Sequence, residues 1–291
     1  MIDLLYPTQA GTPITLELRP TGASGTVSVA LTAATVTNTA VFQSQVLTAS
    51  NGRKVGYLVF NQFLAPSTTM PMLRDTFRGF RQAGLQDLVL DLRYNGGGYV
   101  SMANELAAMI AGTQVNGSKT FIHYLFNDRN AGSDYSEYFV TVGGDTMLSL
   151  PRVFVLTSVR TASASELVIN ALKPYLNVIQ IGATSYGKPV GQIPTVSCGQ
   201  MFAPIVFETV NAAGNGGYFN GIAPSCTTVL DDLDHPLGAS EAVLGQAMAY
   251  VAQGACPVSI ASARSKRTVG PTEAGGHAAV PDPMRNRALL R

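Results

Sequence analysis

Two stretches of this chain place a hydroxyl and an amine where chemistry could use them. The segment TASASE, residues 161 to 166, follows one apolar run, Val153 to Leu156, and precedes another, Leu167 to Leu176. Ser163 with Glu166 three residues later has the spacing of a capping box. In that motif the hydroxyl accepts from the Glu166 amide and the carboxylate reaches back to the Ser163 amide. The same placement fixes a hydroxyl at the positive end of a helix dipole, with the Ala164 N–H aimed where an oxyanion would form. A serine attacks only when a neighbouring base takes its proton. The three histidines are poorly placed for that: His123 lies in a strand-like run, His235 ends the acidic turn DDLDH, and His277 lies near the C-terminus. Nor does DDLDH have the spacing of a calcium loop. Lys188, between Gly187 and Pro189 after the apolar run VIQIGA, can act as a base if burial lowers its pKa. A third stretch, DLRYNGGGY at 91 to 99, ends an apolar run in consecutive glycines, which leave their amide N–H groups open to a ligand. It matches neither GxGxxG nor a phosphate loop, so it gives little support for a nucleotide site.

These stretches need elements to carry them. PITLELR (13 to 19) and GTVSVALTA (25 to 33) alternate apolar and polar residues as half-buried strands do. VGYLVFNQF (55 to 63), DLVLDLR (87 to 93), RVFVLTS (152 to 158) and VIQIGA (178 to 183) read as strands. Helical patterns lie between or beside them at 72–83, 98–111 and 163–176, with another at 238–254. Strands alternating with helices predict βαβ units around a largely parallel sheet, hence an α/β fold. Residues 198 to 230 are more polar and strand-like. Beyond Pro257 the chain lacks periodicity and reads as a disordered basic tail, 257–291.

Composition narrows the partners. A net charge of +1 gives no case for nucleic acid, and the 16 acidic residues before 257 outnumber the 13 basic ones. No run approaches the roughly 20 apolar residues of a membrane span, and IDLLYPTQ after Met1 is not a signal peptide. The three cysteines, Cys198, Cys226 and Cys256, lack CxxC spacing, which argues against a thiolate metal site and allows one disulfide with one free thiol.

Taken together, the three stretches resemble the C-terminal processing peptidases, or tail-specific proteases. That family's pattern is D-x-R-x-N-x-G-G, then S-A-S-A-S-E, then G-K. This chain reads Asp91-Leu-Arg93-Tyr-Asn95-Gly-Gly97-Gly98, then Thr161-Ala-Ser163-Ala-Ser165-Glu166, then Gly187-Lys188. The 25 residues from Ser163 to Lys188 match the family's dyad spacing, and Gln192 matches the residue that orients the lysine. The resemblance implies Ser163 as nucleophile, Lys188 as general base, Gln192 as its positioner, and the amides of Gly97 and Ala164 as oxyanion hole. It implies a ClpP/crotonase-like αβ spiral core over 50–256, a peptide or unfolded-protein substrate cut near its C-terminus, and no cofactor or metal.

Thr161 and Pro189 depart from the pattern, where serine and glycine are usual. Residues 1–38 resemble only the later part of a PDZ domain; the family's early PDZ strand and carboxylate-binding loop have no counterpart here. The family's exported character implies the periplasm or cell envelope, any signal peptide lying upstream of this chain. It also makes a disulfide reasonable; Cys198–Cys226 is the favoured pairing and Cys226–Cys256 the next. Two other readings stand beside the peptidase: a non-catalytic peptide-binding or scaffolding protein on the same fold, and a crotonase-like acyl-CoA enzyme, which would leave the Ser/Lys pair unexplained.

Overall fold

A computed structural model describes Leu5 and residues 7–20, 22–227, 235–238 and 241–257. All of the expected tail after Pro257, His277 and all of DDLDH except His235 lie outside the described residues. The chain divides into two compact units, Met1–Thr39 and Ala40–Arg291. In the first, β1 (Pro13–Leu18) and β2 (Val27–Thr32) pair as an antiparallel hairpin.

The second unit is built on a six-stranded sheet. It contains β3 (Val41–Thr48), β4 (Lys54–Phe60), β5 (Asp87–Asp91), β8 (Arg152–Thr157), β9 (Asn177–Gly182) and β14 (Cys226–Thr227), in the spatial order β14-β9-β8-β5-β4-β3. Every pairing is parallel except β3 with β4. Strands β4, β5 and β8 are covered on both faces, which is why they read as unbroken apolar runs. Alternate residues divide between two cores. Leu58, Leu88, Leu90, Val153 and Val155 pack on the side of α1 (Pro66–Ala83), α2 (Val100–Ala111) and α3 (Ala164–Leu172). Tyr57, Val89, Phe154 and Leu156 pack on the side of α4 (Ala242–Gln253).

A second, antiparallel sheet has the order β10-β13-β6-β7, formed by β6 (Thr120–Leu125), β7 (Tyr135–Tyr138), β10 (Val190–Gln192) and β13 (Ile205–Val210). Between β10 and β13 the chain makes a separate hairpin, β11 (Thr195–Ser197) with β12 (Gln200–Phe202).

Helix α4 is fixed at both ends. Glu241 caps its first turn by accepting from the Val243 and Leu244 amides, and it also accepts from Arg93 at 2.8 Å. Arg93 in turn grips Asp91, whose carboxylate accepts the Tyr57 hydroxyl at 2.8 Å; all four side chains are buried. At the far end Cys256 is joined to Cys226. The favoured Cys198–Cys226 pairing is therefore corrected. Cys226 is buried in the six-stranded sheet where α4 ends, whereas Cys198 sits at positive φ in the turn of the β11–β12 hairpin, exposed and free. One free thiol per chain is the number expected.

Candidate active site

Three loops leave the C-terminal ends of adjacent parallel strands β5, β8 and β9, the place where open α/β sheets bind ligands. They carry, in turn, Gly97, Ser163 and Lys188.

The loop after β5 is pinned by Asn95, which is fully buried. Its amide donates to Phe60 O at 2.7 Å, and its side-chain oxygen accepts the Gly97 N–H at 2.9 Å. Its own carbonyl accepts from Ala162 N–H (3.1 Å) and the Ser165 hydroxyl (2.9 Å), clamping the start of α3 onto the glycine loop. The approach is so close that a Cβ on Gly97 would lie 2.7 Å from Ser163 Cβ and 2.9 Å from Ala164 N, at a φ of +103°. Only glycine fits there. Thr161, which departs from the family's serine, keeps the hydroxyl function: its Oγ1 donates to Leu92 O at 2.8 Å and accepts from Ser158 N–H at 2.9 Å.

Ser163 stands between β8 and α3 with φ +57° and ψ −118°, a conformation that costs a non-glycine residue on the order of 1–3 kcal/mol. Its backbone is over-determined, which is how such strain persists. The Glu166 side chain reaches back to the Ser163 N–H at 2.9 Å, the capping-box contact expected from sequence.

Glu166 does considerably more than cap. Its Oε2 accepts from both Ser163 N–H (2.9 Å) and Lys188 N–H (2.8 Å), so one oxygen holds the two backbone nitrogens within 5.7 Å of each other. Its Oε1 accepts from the Ser185 hydroxyl and the Gly187 N–H, each at 2.6 Å. A fully buried carboxylate is tolerable only when its lone pairs are filled, and four donors fill these. The capping-box spacing pointed to one of the four bonds. The other three come from residues 19 to 22 positions away, which no local pattern reveals.

Lys188 is half-buried, and desolvation pulls its amine below the ordinary lysine value, while the negative charge of Glu166 pushes in the opposite direction. Its Nζ donates to Gln192 Oε1 at 3.4 Å, and Gln192 is oriented by its own donation to Ala203 O at 2.7 Å. Pro189 is buried and its carbonyl accepts from Thr209, which fixes the loop beyond the lysine.

The structure thus brings the three loops together but leaves two contacts unmade. Lys188 Nζ is directed to Gln192 and does not hydrogen-bond Ser163 Oγ, and the Gly97 N–H is engaged by Asn95. His123 faces Ser136 Oγ at 2.7 Å across β6 and β7. Among the described residues no group of three His, Cys, Asp or Glu side chains converges to hold a metal ion.

The model of Peptidase family S41 matches residues 54–227, a span that includes Gly97, Ser163, Glu166, Lys188 and Gln192. The chain belongs to that family. It is 31% identical over 142 residues to a carboxyl-terminal-processing protease of Picosynechococcus sp., covering 49% of this chain and 31% of that protein. It is 26% identical over 216 residues to a carboxy-terminal processing protease of Bacillus subtilis, covering 74% of this chain and 42% of that one. It spans less than half the length of either relative. Among solved structures, a candidate S41 protease from Bacteroides fragilis NCTC 9343 superposes with TM-score 0.69 at 28% identity, over 84% of this chain and 68% of that one. The photosystem II D1 C-terminal processing protease shares the fold, with TM-score 0.56 at 23% identity over 76% of this chain and 56% of that one.

Proposed function

We propose that this chain is a serine endopeptidase that cleaves unfolded or exported polypeptides near their C-termini through a Ser163–Lys188 dyad. The single observation that carries the reading is the shared Glu166 Oε2, which fixes a strained Ser163 and a half-buried Lys188 side by side at the ends of β8 and β9.

Chemistry follows from that arrangement. Neutral Lys188 Nζ swings from Gln192 to Ser163 Oγ and accepts its proton as the oxygen attacks the scissile carbonyl. The negative charge that forms on the carbonyl oxygen is met by the Ala164 N–H, which as the first amide of α3 has no helical carbonyl to receive it. The Gly97 N–H joins it once released from Asn95. Lys188 returns the proton to the leaving amine, giving the acyl-enzyme, and then activates the water that hydrolyses it. Gln192 holds the lysine on the site side of its loop between these steps.

A location in the periplasm or cell envelope is part of the same proposal, supported by the Cys226–Cys256 disulfide, which suits an oxidising compartment. Among the described residues no helix is long and apolar enough to cross a membrane. The β1–β2 hairpin in the first unit is proposed as the later part of a PDZ-like domain; two strands alone are marginal in water, in keeping with a role as part of a larger domain.

The test is cleavage of an unfolded protein by the wild-type chain beside Ser163→Ala and Lys188→Ala. Cleavage lost in both variants supports the dyad. Wild-type rates in either variant reject it, and tight binding of unfolded chains with no cleavage by the wild type would point instead to a peptide-binding protein.

A further inference from the structure

Immediately beyond Gln192 the chain presents a surface that the dyad chemistry does not use. Ile193, Val196, Met201, Phe202 and Ile205 all stand in solvent, with Val196 67%, Phe202 70% and Ile205 64% exposed. Val196 and Met201 pair across the hairpin and share one of its faces, while Phe202, the next residue on β12, lies on the other, so apolar side chains stand in solvent on both faces, a pattern that marks interaction sites. The 19 residues from 189 to 207 contain no Asp, Glu, Lys, Arg or His, so the segment has no charge of its own to pair with a charged substrate residue.

Its place relative to the dyad decides the occupant. The outgoing strand β10 ends on Gln192, and Gln192 pairs with Ile205 in the ladder, where facing residues are about 5 Å apart. The bond from Gln192 to Ala203 O ties the returning arm of the hairpin to the residue that holds Lys188. A polypeptide lying against the hairpin therefore runs beside the residue that holds Lys188. We infer that the β11–β12 hairpin and its flanking Ile193 and Ile205 form a substrate-docking surface that selects uncharged, apolar segments of the polypeptide on the lysine side of the dyad. This rests on the peptidase reading for its occupant, not for its existence as a binding surface.

The experiment measures binding without turnover. In a Ser163→Ala background, fluorescence anisotropy gives Kd for a labelled twelve-residue Val/Leu/Ala peptide and for an equally long Ser/Glu peptide. The expected result is at least tenfold tighter binding of the apolar peptide. Adding Phe202→Ser or Ile205→Asp should weaken that peptide at least tenfold, and Val196→Ser probes the opposite face of the hairpin in the same way. Phe42→Ser, on β3 and also exposed (59%), should leave it unchanged. Urea midpoints equal to the parent's confirm that the hairpin variants are folded. Equal affinity for the two peptides, no binding of either, or affinities indifferent to all three hairpin substitutions would overturn the inference. So would loss of self-association on gel filtration with peptide binding unchanged, since the hairpin would then serve a second copy of this chain. Turnover of a small activated ester by the wild type is read separately: its absence counts against the dyad, while the anisotropy series counts only against the hairpin.

Discussion

Replacing Glu166 with glutamine separates the support of the dyad from its chemistry. The carboxylate accepts four hydrogen bonds, two on each oxygen. Glutamine keeps one acceptor and turns an NH2 toward the other pair of donors. If that NH2 replaced Oε2, the Ser163 and Lys188 amides would both be stranded, at a cost of about 3–6 kcal/mol for two bonds to a charged acceptor. The cheaper arrangement puts it at the Oε1 position. There the Ser185 hydroxyl, which already accepts from the Ile222 N–H, can receive the NH2 only by turning its own O–H away, and the Gly187 N–H is left unpaired. The expected loss for Glu166→Gln is therefore about 2–3 kcal/mol, and Glu166→Ala, which strands every donor, loses more. A second effect has an independent sign. Glu166 raises the lysine pKa against the lowering by burial, so removing its charge drops the Lys188 pKa further. Urea denaturation reads the first effect, and the ascending limb of a kcat/KM–pH profile reads the second. A glutamine variant with the wild-type midpoint and wild-type apparent pKa would refute the hub role of Glu166.

Further outcomes follow from other residues. Lys188, with its folded pKa below 10.5, must be neutral to act, so the rate should rise with pH through an apparent pKa under the ordinary lysine value. Because burial disfavours the charged form, its contribution to stability is least favourable below the folded pKa and improves up to 10.5; Lys188→Met should flatten both dependences. Gly97→Ala should reduce turnover by about a hundredfold or more, since its Cβ would meet Ser163 Cβ at 2.7 Å. A rate within threefold of wild type would show the loop to be compliant. At φ +57° Ser163→Gly should be more stable than Ser163→Ala by about 1 kcal/mol or more in urea, although both are inactive. Reducing Cys226–Cys256, which closes a loop with a sequence separation of 30, should cost about 3–4 kcal/mol on the chain-entropy model. Before reduction the denatured chain should titrate one thiol, and three would exclude the disulfide.

The parallel sheet was legible because β4, β5 and β8 are buried on both faces and write their burial as continuous apolar runs. Strand β3 was not, because its half-buried face carries Val41, Gln43, Gln45 and Leu47, and the two glutamines erase the apolar period. Helix α1 starts at Pro66, six residues before the apolar spacing begins, since its first turn is made of proline and polar residues and the one buried there, Thr69, is not apolar. The order of the three loops was readable from Asn95-Gly-Gly97, Ser163-Ala-Ser165-Glu166 and Gly187-Lys188, each at a strand end. What joins them was not: the bonds from Glu166 to Ser185 and Lys188, and from Thr161 to Leu92, link residues that only the sheet order makes neighbours. Cysteine pairing failed for the same reason, since whether Cys226 meets Cys198 or Cys256 depends on which one packs beside β9.

The central claim is that Ser163 forms an acyl-enzyme with Lys188 as its base. Intact-mass measurement after exposure to a peptidyl acylating probe, followed by peptide mapping, tests it directly. The claim predicts a single adduct on Ser163 that forms faster as pH rises and is lost in Lys188→Ala and Lys188→Arg, the latter because guanidinium stays protonated. An adduct on another residue, or equal labelling of Ser163 when Lys188 is replaced, would contradict it.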